Sequence, residues 1–418
     1  MTNFASGLSL IKRATQKIGR TPAWFVRSVA AHYRQALYQL VLLLTERYWL
    51  IDYLPKRQAC KATVLLVRLD LIGDFVIWLD AAKEFKKLYP NKKIVLCANA
   101  IWAQLAQKLP YWDEVIEVDV SRLRAQAGYR LRVLTKIHAR GFEIAIQPTY
   151  SREYIADLLV RASQASERIA HLGDTNNITP SKKIISNKWY TYLIPPAGNG
   201  QSELSANAHL LRELGQPDFK SGLPIIEKLT ELPSDLLLRR SYCVIIPGAS
   251  WESKMWPVEN FITTAQTICA GRDLRVLVCG TEQEQNICQR IVAGLGDRAS
   301  NYAGKTTLLQ FIEIIRNSVL VIANDSGAVH IAAATNTPAV CIMGGGHFGR
   351  FLPYVPETVP LARNLPTVVN KQLNCYGCLW RCLYPIVPGS AVPCVSLVEV
   401  RDVEEACHFA LRHLPKSQ

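Results

Sequence analysis

No stretch of this 418-residue sequence holds the roughly 20 consecutive apolar residues that a membrane-crossing helix needs. The longest apolar run near the start, Leu40-Val41-Leu42-Leu43-Leu44, stops at Thr45-Glu46-Arg47. No short apolar core there leads to a small-residue cleavage site, so a secretory leader is not expected. Internal repeats and low-complexity tracts are missing, and the composition carries no disordered or fibrous signature. Gly304-Lys305-Thr306 has the ending of a phosphate-binding P-loop, but the earlier glycine position is Ala299 and no strand leads directly into it. An ATPase is therefore not expected. No DNA- or RNA-binding motif is present either, which argues against a nucleic-acid partner despite a net charge of +14.

What is present begins with that charge. Residues 1–61 hold ten Lys and Arg against only Glu46 and Asp52, so more than half of the excess sits at one end of the chain. From Leu37 onward Leu40, Val41, Leu44, Tyr48 and Ile51 recur at helical spacing, with Tyr33, Tyr38, Trp49 and Tyr53 among them. Two readings stand side by side. Residues 1–60 lie on an anionic membrane surface, or they form a helix packed on the body of the protein. The twelve cysteines are mostly embedded in apolar patterns, as at Cys97, Cys243, Cys269, Cys279 and Cys341, and read as reduced thiols of a cytoplasmic protein.

At 49% hydrophobic, the chain is long enough to bury two cores. Apolar runs at Thr63–Val67, Ile94–Cys97, Val115–Val118, Ile144–Ile146 and Arg168–His171 alternate with helical patterns at 75–88, 102–109, 122–139 and 152–162. A second series repeats this, with strands at 243–246, 274–279, 319–322 and 339–343 and helices at 258–270, 282–294 and 307–317. Such alternation predicts two α/β, Rossmann-like, doubly wound parallel domains facing a cleft. The Pro-, Gly-, Asn- and Ser-rich stretch 172–235 is the expected connection between them.

The chemistry concentrates in three loops. Ile322-Ala323-Asn324-Asp325-Ser326-Gly327-Ala328-Val329-His330 reads as a strand giving way to a helix, whose free amides and dipole suit a diphosphate. The competing reading makes Asp325 or Ser326 a simple helix cap and His330 a core residue. Pro247-Gly248-Ala249-Ser250 through Lys254-Met255-Trp256-Pro257 offers a hydroxyl at Ser250 and a point charge at Lys254. Asp74, following Gly73 after the first strand, stands where a general base can take a proton from an acceptor hydroxyl, or where an N-cap is wanted. Asp70 is a second carboxylate nearby, and the sequence alone does not choose between them. No Asp-x-Asp occurs, the pair that usually holds a metal-bound sugar nucleotide, so a metal-independent reaction is expected. Cys375, Cys378, Cys382 and Cys394 have the ligand number of a zinc site but not its usual two-pair spacing, and core thiols are the leading reading.

Three segments, Arg68-x-Asp70-x-x-Gly73-Asp74, Pro247-Gly248-Ala249-Ser250 to Lys254-x-Trp256-Pro257, and Asn324-Asp325-Ser326-Gly327-x-x-His330, resemble the signatures of glycosyltransferase family 9, the lipopolysaccharide heptosyltransferases, in order and spacing. The resemblance covers roughly Lys61 to Val403. It implies a GT-B fold, with an acceptor domain at 61–222 and a donor domain at 223–418 that includes the cysteine-containing loop 375–394. It also implies inverting, metal-independent transfer of a sugar, typically a heptose from ADP-heptose, to a hydroxyl of a lipid-linked saccharide at the cytoplasmic face of the inner membrane. The family's catalytic aspartate maps onto Asp74, its phosphate-binding lysine onto Lys254 and the neighbouring hydroxyl onto Ser250. Its donor-site Asp and His map onto Asp325 and His330, with Ser326 and Gly327 supplying the amides beside them. The basic segment 1–60 and the glycine-rich Gly344-Gly345-Gly346-His347 depart from the family pattern and inherit no role. A different nucleotide sugar, or a non-catalytic nucleotide-sugar-binding scaffold, are the alternative readings.

Overall fold

Twelve short strands, four of them fully buried, organise the described residues. The computed structural model describes residues 62–198, 200–232, 241–270, 272–358 and 363–412, so the expected membrane contact of residues 1–60 lies outside the described residues. The first sheet contains β1 (Thr63–Arg68), β2 (Lys93–Asn99), β3 (Glu114–Val118), β4 (Ile144–Gln147), β5 (Glu167–His171) and β6 (Tyr192–Ile194). The second contains β7 (Tyr242–Ile246), β8 (Arg275–Val278), β9 (Ala299–Asn301), β10 (Leu320–Asn324), β11 (Ala339–Met343) and β12 (Thr367–Asn370). Both are wholly parallel. Their orders, β3-β2-β1-β4-β5-β6 and β9-β8-β7-β10-β11-β12, are the same doubly wound pattern. Strands β1, β4, β7, β10 and β11 are near-continuous Val/Ile/Leu/Ala runs because helices cover both faces of each sheet.

Three strands escape the sequence pattern. β6, β9 and β12 are edge strands of three or four residues, two of them carrying polar residues, too short for a periodicity to register. The segment read as a connection from residue 172 is corrected accordingly. It contains β6 and the helices Pro180–Asn187 and Glu203–Glu213, which still belong to the first layer system. Only the stretch after Glu213 passes to the second sheet, and it is tied to both sides: Gly222 N donates to Asp80 Oδ2 at 2.6 Å and Ser221 N to Glu357 Oε2 at 2.9 Å. The helix expected at 75–88 breaks near Lys83, giving Ile72–Ala82 and Phe85–Leu88. The one at 122–139 divides at Gln126, whose extended backbone separates Val120–Ala125 from Ala127–Arg140.

The two sheets meet through the helices that open after β1 and β10. A Cβ added at Gly73 would lie 2.9 Å from His330 Cδ2 and 3.3 Å from Gly327 Cα; one added at Gly327 would lie 2.5 Å from Ile72 Cγ2. Glycine on both sides lets the backbones touch. A single buried apolar cluster consequently runs from Val64, Leu66 and Phe75 on one side to Ile246, Val329 and Met343 on the other. Gly327→Val forces this contact apart, and overpacking of this kind costs about 1–3 kcal/mol. The expected result is a melting temperature lowered by several degrees and a larger radius of gyration in small-angle scattering. An unchanged radius and melting temperature would show that the junction is not a tight one.

Candidate active site

Doubly wound sheets gather ligands at the carboxyl ends of the strands beside the point where strand order reverses. In the first sheet that point lies between β1 and β4, and the loop after β1 holds Asp70 and Asp74. Asp70 is engaged on every side. Arg68 Nε donates to its Oδ1 at 3.1 Å, and Arg68 Nη2 lies 2.9 Å from its Oδ2. Its backbone oxygen accepts from Trp102 Nε1 at 2.9 Å and Asn99 Nδ2 at 3.1 Å. Burial pushes the Asp70 carboxyl up to about 6 even with Arg68 opposing it.

Asp74, in the first turn of Ile72–Ala82, differs in the way that matters for a base. Its backbone oxygen accepts from Arg68 Nη2 at 3.0 Å, while among the described residues no hydrogen bond or ion pair engages its carboxylate. The N-cap of that helix is Leu71, without a side-chain cap, so the capping role open to Asp74 in the sequence is not used. Burial pushes the Asp74 carboxyl well above the ordinary carboxylate range, with the negative charges of Asp70 and Glu203 adding to it and Arg68 and Arg350 opposing. The two carboxylates thus differ in engagement: Asp70 holds the loop, and among the described residues that of Asp74 has no hydrogen-bond or ion-pair partner.

In the second sheet the order reverses between β7 and β10, and the loops after these strands carry the other candidates. Asn324, fully buried at the end of β10, donates from Nδ2 to Pro247 O at 2.5 Å and accepts at Oδ1 from Trp256 N at 3.0 Å. This clamps the Pro247–Pro257 loop to β10. Within that loop Lys254 Nζ donates to Ser250 Oγ at 3.3 Å and sits 4.1 Å from the Trp380 ring centroid. Partial burial lowers the Lys254 ammonium below its usual value and burial raises Asp325, each charge opposing the other's shift. Ser326 caps Gly327–Ala334 in position but not through its side chain, and its Oγ is buried with no partner among the described residues. An orphaned hydroxyl beside free helix amides is what an anionic ligand would satisfy.

His330 is placed differently from a phosphate ligand on an open loop. It is buried, its Nδ1 hydrogen-bonds the Tyr354 hydroxyl, and its ring edge faces Gly73 across the junction. Burial holds it down to about 3, so it is a neutral imidazole. Gly327 and His330 thus stand at the junction on one side and Gly73, followed directly by Asp74, on the other, while Lys254 and Ser250 sit on the neighbouring loop with Lys254 electrostatically coupled to Asp325.

Three contributors, Arg350, Glu284 and Trp380, were not evident in the sequence. Arg350 reaches from the second half into the first, with Nη2 2.8 Å from Ser151 Oγ and 3.5 Å from Glu203 Oε2, and Nη1 3.7 Å from Asp174. Its backbone oxygen also accepts from Glu203 N at 2.8 Å. Glu284 turns its carboxylate against Gly248, where a Cβ would meet Oε1 at 1.6 Å. Asn324 had a readable signal, a polar residue ending an apolar strand. Trp380 comes from the cysteine-containing loop, where Leu379 N and Gly377 N donate to Gly346 O and Gly345 O at 3.0 and 2.9 Å. A Cβ at Gly346 would meet Trp380 Cδ2 at 2.4 Å, which explains the glycine run that departs from the family pattern. Cys394 is buried and its Sγ accepts from Gly345 N at 3.3 Å. Among the described residues no group of three or more His, Cys, Asp or Glu converges as a metal site. Gly304-Lys305-Thr306 forms a turn on Gly280 ahead of the capped helix Leu308–Arg316.

Two facing doubly wound domains, with a free carboxylate on one side of the junction and an anion-suited helix terminus on the other, define a glycosyltransferase of GT-B architecture. The chain belongs to glycosyltransferase family 9 (heptosyltransferase), whose family model matches residues 199–379. It is 30% identical over 295 residues to lipopolysaccharide heptosyltransferase 2 of Escherichia coli K12, covering 67% of this chain and 82% of that one. It is 24% identical over 314 residues to lipooligosaccharide heptosyltransferase 2 of Campylobacter jejuni, covering 74% and 86%. Among solved structures it resembles the family 9 glycosyltransferase of Veillonella parvula, with a TM-score of 0.62 at 16% identity over 85% of this chain and 99% of that one. The E. coli ADP-heptose heptosyltransferase II gives 0.58 at 17% identity over 84% and 98%.

Proposed function

We propose that the protein is an inverting, metal-independent heptosyltransferase that moves heptose from ADP-heptose to a hydroxyl of a lipopolysaccharide-type, lipid-linked acceptor. The observation that carries this is the Asp74 carboxylate, unengaged and one residue from the Gly73–Gly327 contact, beside the helix terminus that holds Ser326. Asp74 takes the acceptor proton as its oxygen attacks the anomeric carbon from the face opposite the diphosphate. The bond to the diphosphate breaks, and the departing charge meets Lys254, Ser250 and the amides at Ser326 and Gly327. A fixed lysine and a helix terminus supply the neutralisation that a divalent cation gives elsewhere, which supports the metal-independent reading. The names of the relatives support heptose, ADP and the lipopolysaccharide acceptor.

A thermal-shift titration with ADP, UDP, GDP and CMP in EDTA tests the donor side. Saturation at about 100 times Kd stabilises a native state by about 2.7 kcal/mol, a rise of several degrees. The expected rise occurs with ADP alone and survives EDTA. A rise with another nucleotide instead reassigns the donor, and an ADP response that disappears with EDTA overturns metal independence. Product with retained anomeric configuration, read by NMR, would overturn the inverting mechanism.

A further inference from the structure

We propose that the loop 379–387 is a membrane-docking surface that inserts into an anionic bilayer and brings the Lys254 wall of the site to the lipid-linked acceptor. The inference rests on the acceptor class proposed above. Loops of water-soluble proteins do not normally present several large apolar side chains together. Here Leu383 is 80% exposed and Val387 61%, and Leu379, Tyr384 and Ile386 are exposed beside them. Two exposed aromatics extend this surface: Trp251 packs edge-on against Trp380, and Phe348 against Tyr376, within the same loop region. Tyr and Trp at the margin of an aliphatic cluster suit the headgroup level of a membrane.

Charge selects the occupant. No Asp or Glu occurs between Glu357 and Glu399, and Arg381 is exposed within the cluster, whereas Lys371 pairs with Glu399 and Arg363 donates to the Pro224 and Ala333 backbone oxygens. An apolar surface that carries an exposed arginine and no carboxylate along its own chain complements anionic lipid. The loop is also held in place. Its backbone bonds to Gly345 and Gly346, and Trp380 carries the Lys254 ammonium on its ring, so a bilayer bound to Leu383 and Val387 is coupled through one side chain to the proposed diphosphate site. Such docking confines the search for a lipid-linked acceptor to the membrane plane.

The test is co-sedimentation of the full-length chain, wild type and Leu383→Glu/Val387→Glu, with phosphatidylglycerol-rich vesicles that contain no acceptor. It is run at low salt and at 0.5 M salt, where attraction by basic residues such as those of residues 1–61 is screened. The ADP thermal shift of each protein checks that the site is intact, and Ile386→Asp serves as a second variant. The expected result is salt-resistant wild-type binding that falls at least tenfold in both variants. Wild-type binding that vanishes at 0.5 M salt, or variants that bind as wild type does, overturns the proposal. So does a concentration-dependent dimer that the variants abolish without any change in vesicle binding, because the patch is then a contact between copies. Acceptor-free vesicles keep this outcome separate from the transferase reading, which the ADP response addresses independently.

Discussion

Asp74→Asn abolishes sugar transfer: kcat is expected to fall by about 10²–10⁴-fold, the range for loss of a general base, while ADP affinity stays near that of the wild type. The substitution is close to isosteric, and the carboxylate it removes holds no partner among the described residues. The Arg68 contact goes to the Asp74 backbone oxygen, which asparagine retains. Folding is therefore preserved, and the loss reads on chemistry. Weakened ADP binding together with near-normal turnover would remove Asp74 from the role.

The same carboxylate sets the pH dependence. A base acts only when ionised, so activity rises with pH through the Asp74 transition, and burial with the Asp70 and Glu203 charges lifts that transition above the ordinary carboxylate range. Asp70→Asn removes one of those negative neighbours and leaves Arg68 less neutralised. Both effects favour ionised Asp74, so the acidic limb of kcat/KM moves to lower pH. A limb that stays in place in Asp70→Asn would assign the titration to another group.

The second large effect belongs to Lys254. Lys254→Met keeps an unbranched side chain against Trp380 and removes only the charge. Charge-assisted hydrogen bonds contribute about 1.5–3 kcal/mol, so ADP is expected to bind roughly 10- to 100-fold more weakly. Where the lost interaction strengthens as the diphosphate departs, kcat falls further, by the roughly 10²–10³-fold seen when one preorganised donor is deleted from a site. Asp325, left without its counter-charge, adds repulsion toward the diphosphate in the variant. Isothermal titration with ADP and steady-state kinetics separate the two parts, and an unchanged ADP dissociation constant would place Lys254 outside the site. Lysine to arginine is not a neutral control here, because a planar guanidinium replaces the point charge that Ser250 and the Trp380 ring hold.

Much of this was determined by local sequence. Runs such as Val64-Leu65-Leu66-Val67 and Leu320-Val321-Ile322-Ala323 read as buried parallel strands because they are short, rich in β-branched residues and bounded by turn signals. The Ser326-Gly327 turn and the Ser250 to Lys254 spacing likewise announced a helix terminus and a charge in the second domain. These features depend on neighbours in the chain, and a reader of the chain can find them.

Only the tertiary structure shows that Arg68 engages the Asp70 carboxylate and, among the described residues, leaves that of Asp74 unengaged, because this depends on where Arg68, Asn99 and Trp102 point. It also decided that His330, 257 positions from Gly73, is a neutral group wedged in the domain junction. Arg350 meeting Ser151 and Glu203, and Trp380 carrying Lys254, belong to the same kind. Each is a contact between segments whose sequences carry no trace of one another, formed because two independently twisted sheets happen to meet at a pair of glycines. Local periodicity sets which elements form, but which side chains are satisfied and which remain free for chemistry is fixed only when the two sheets close on each other.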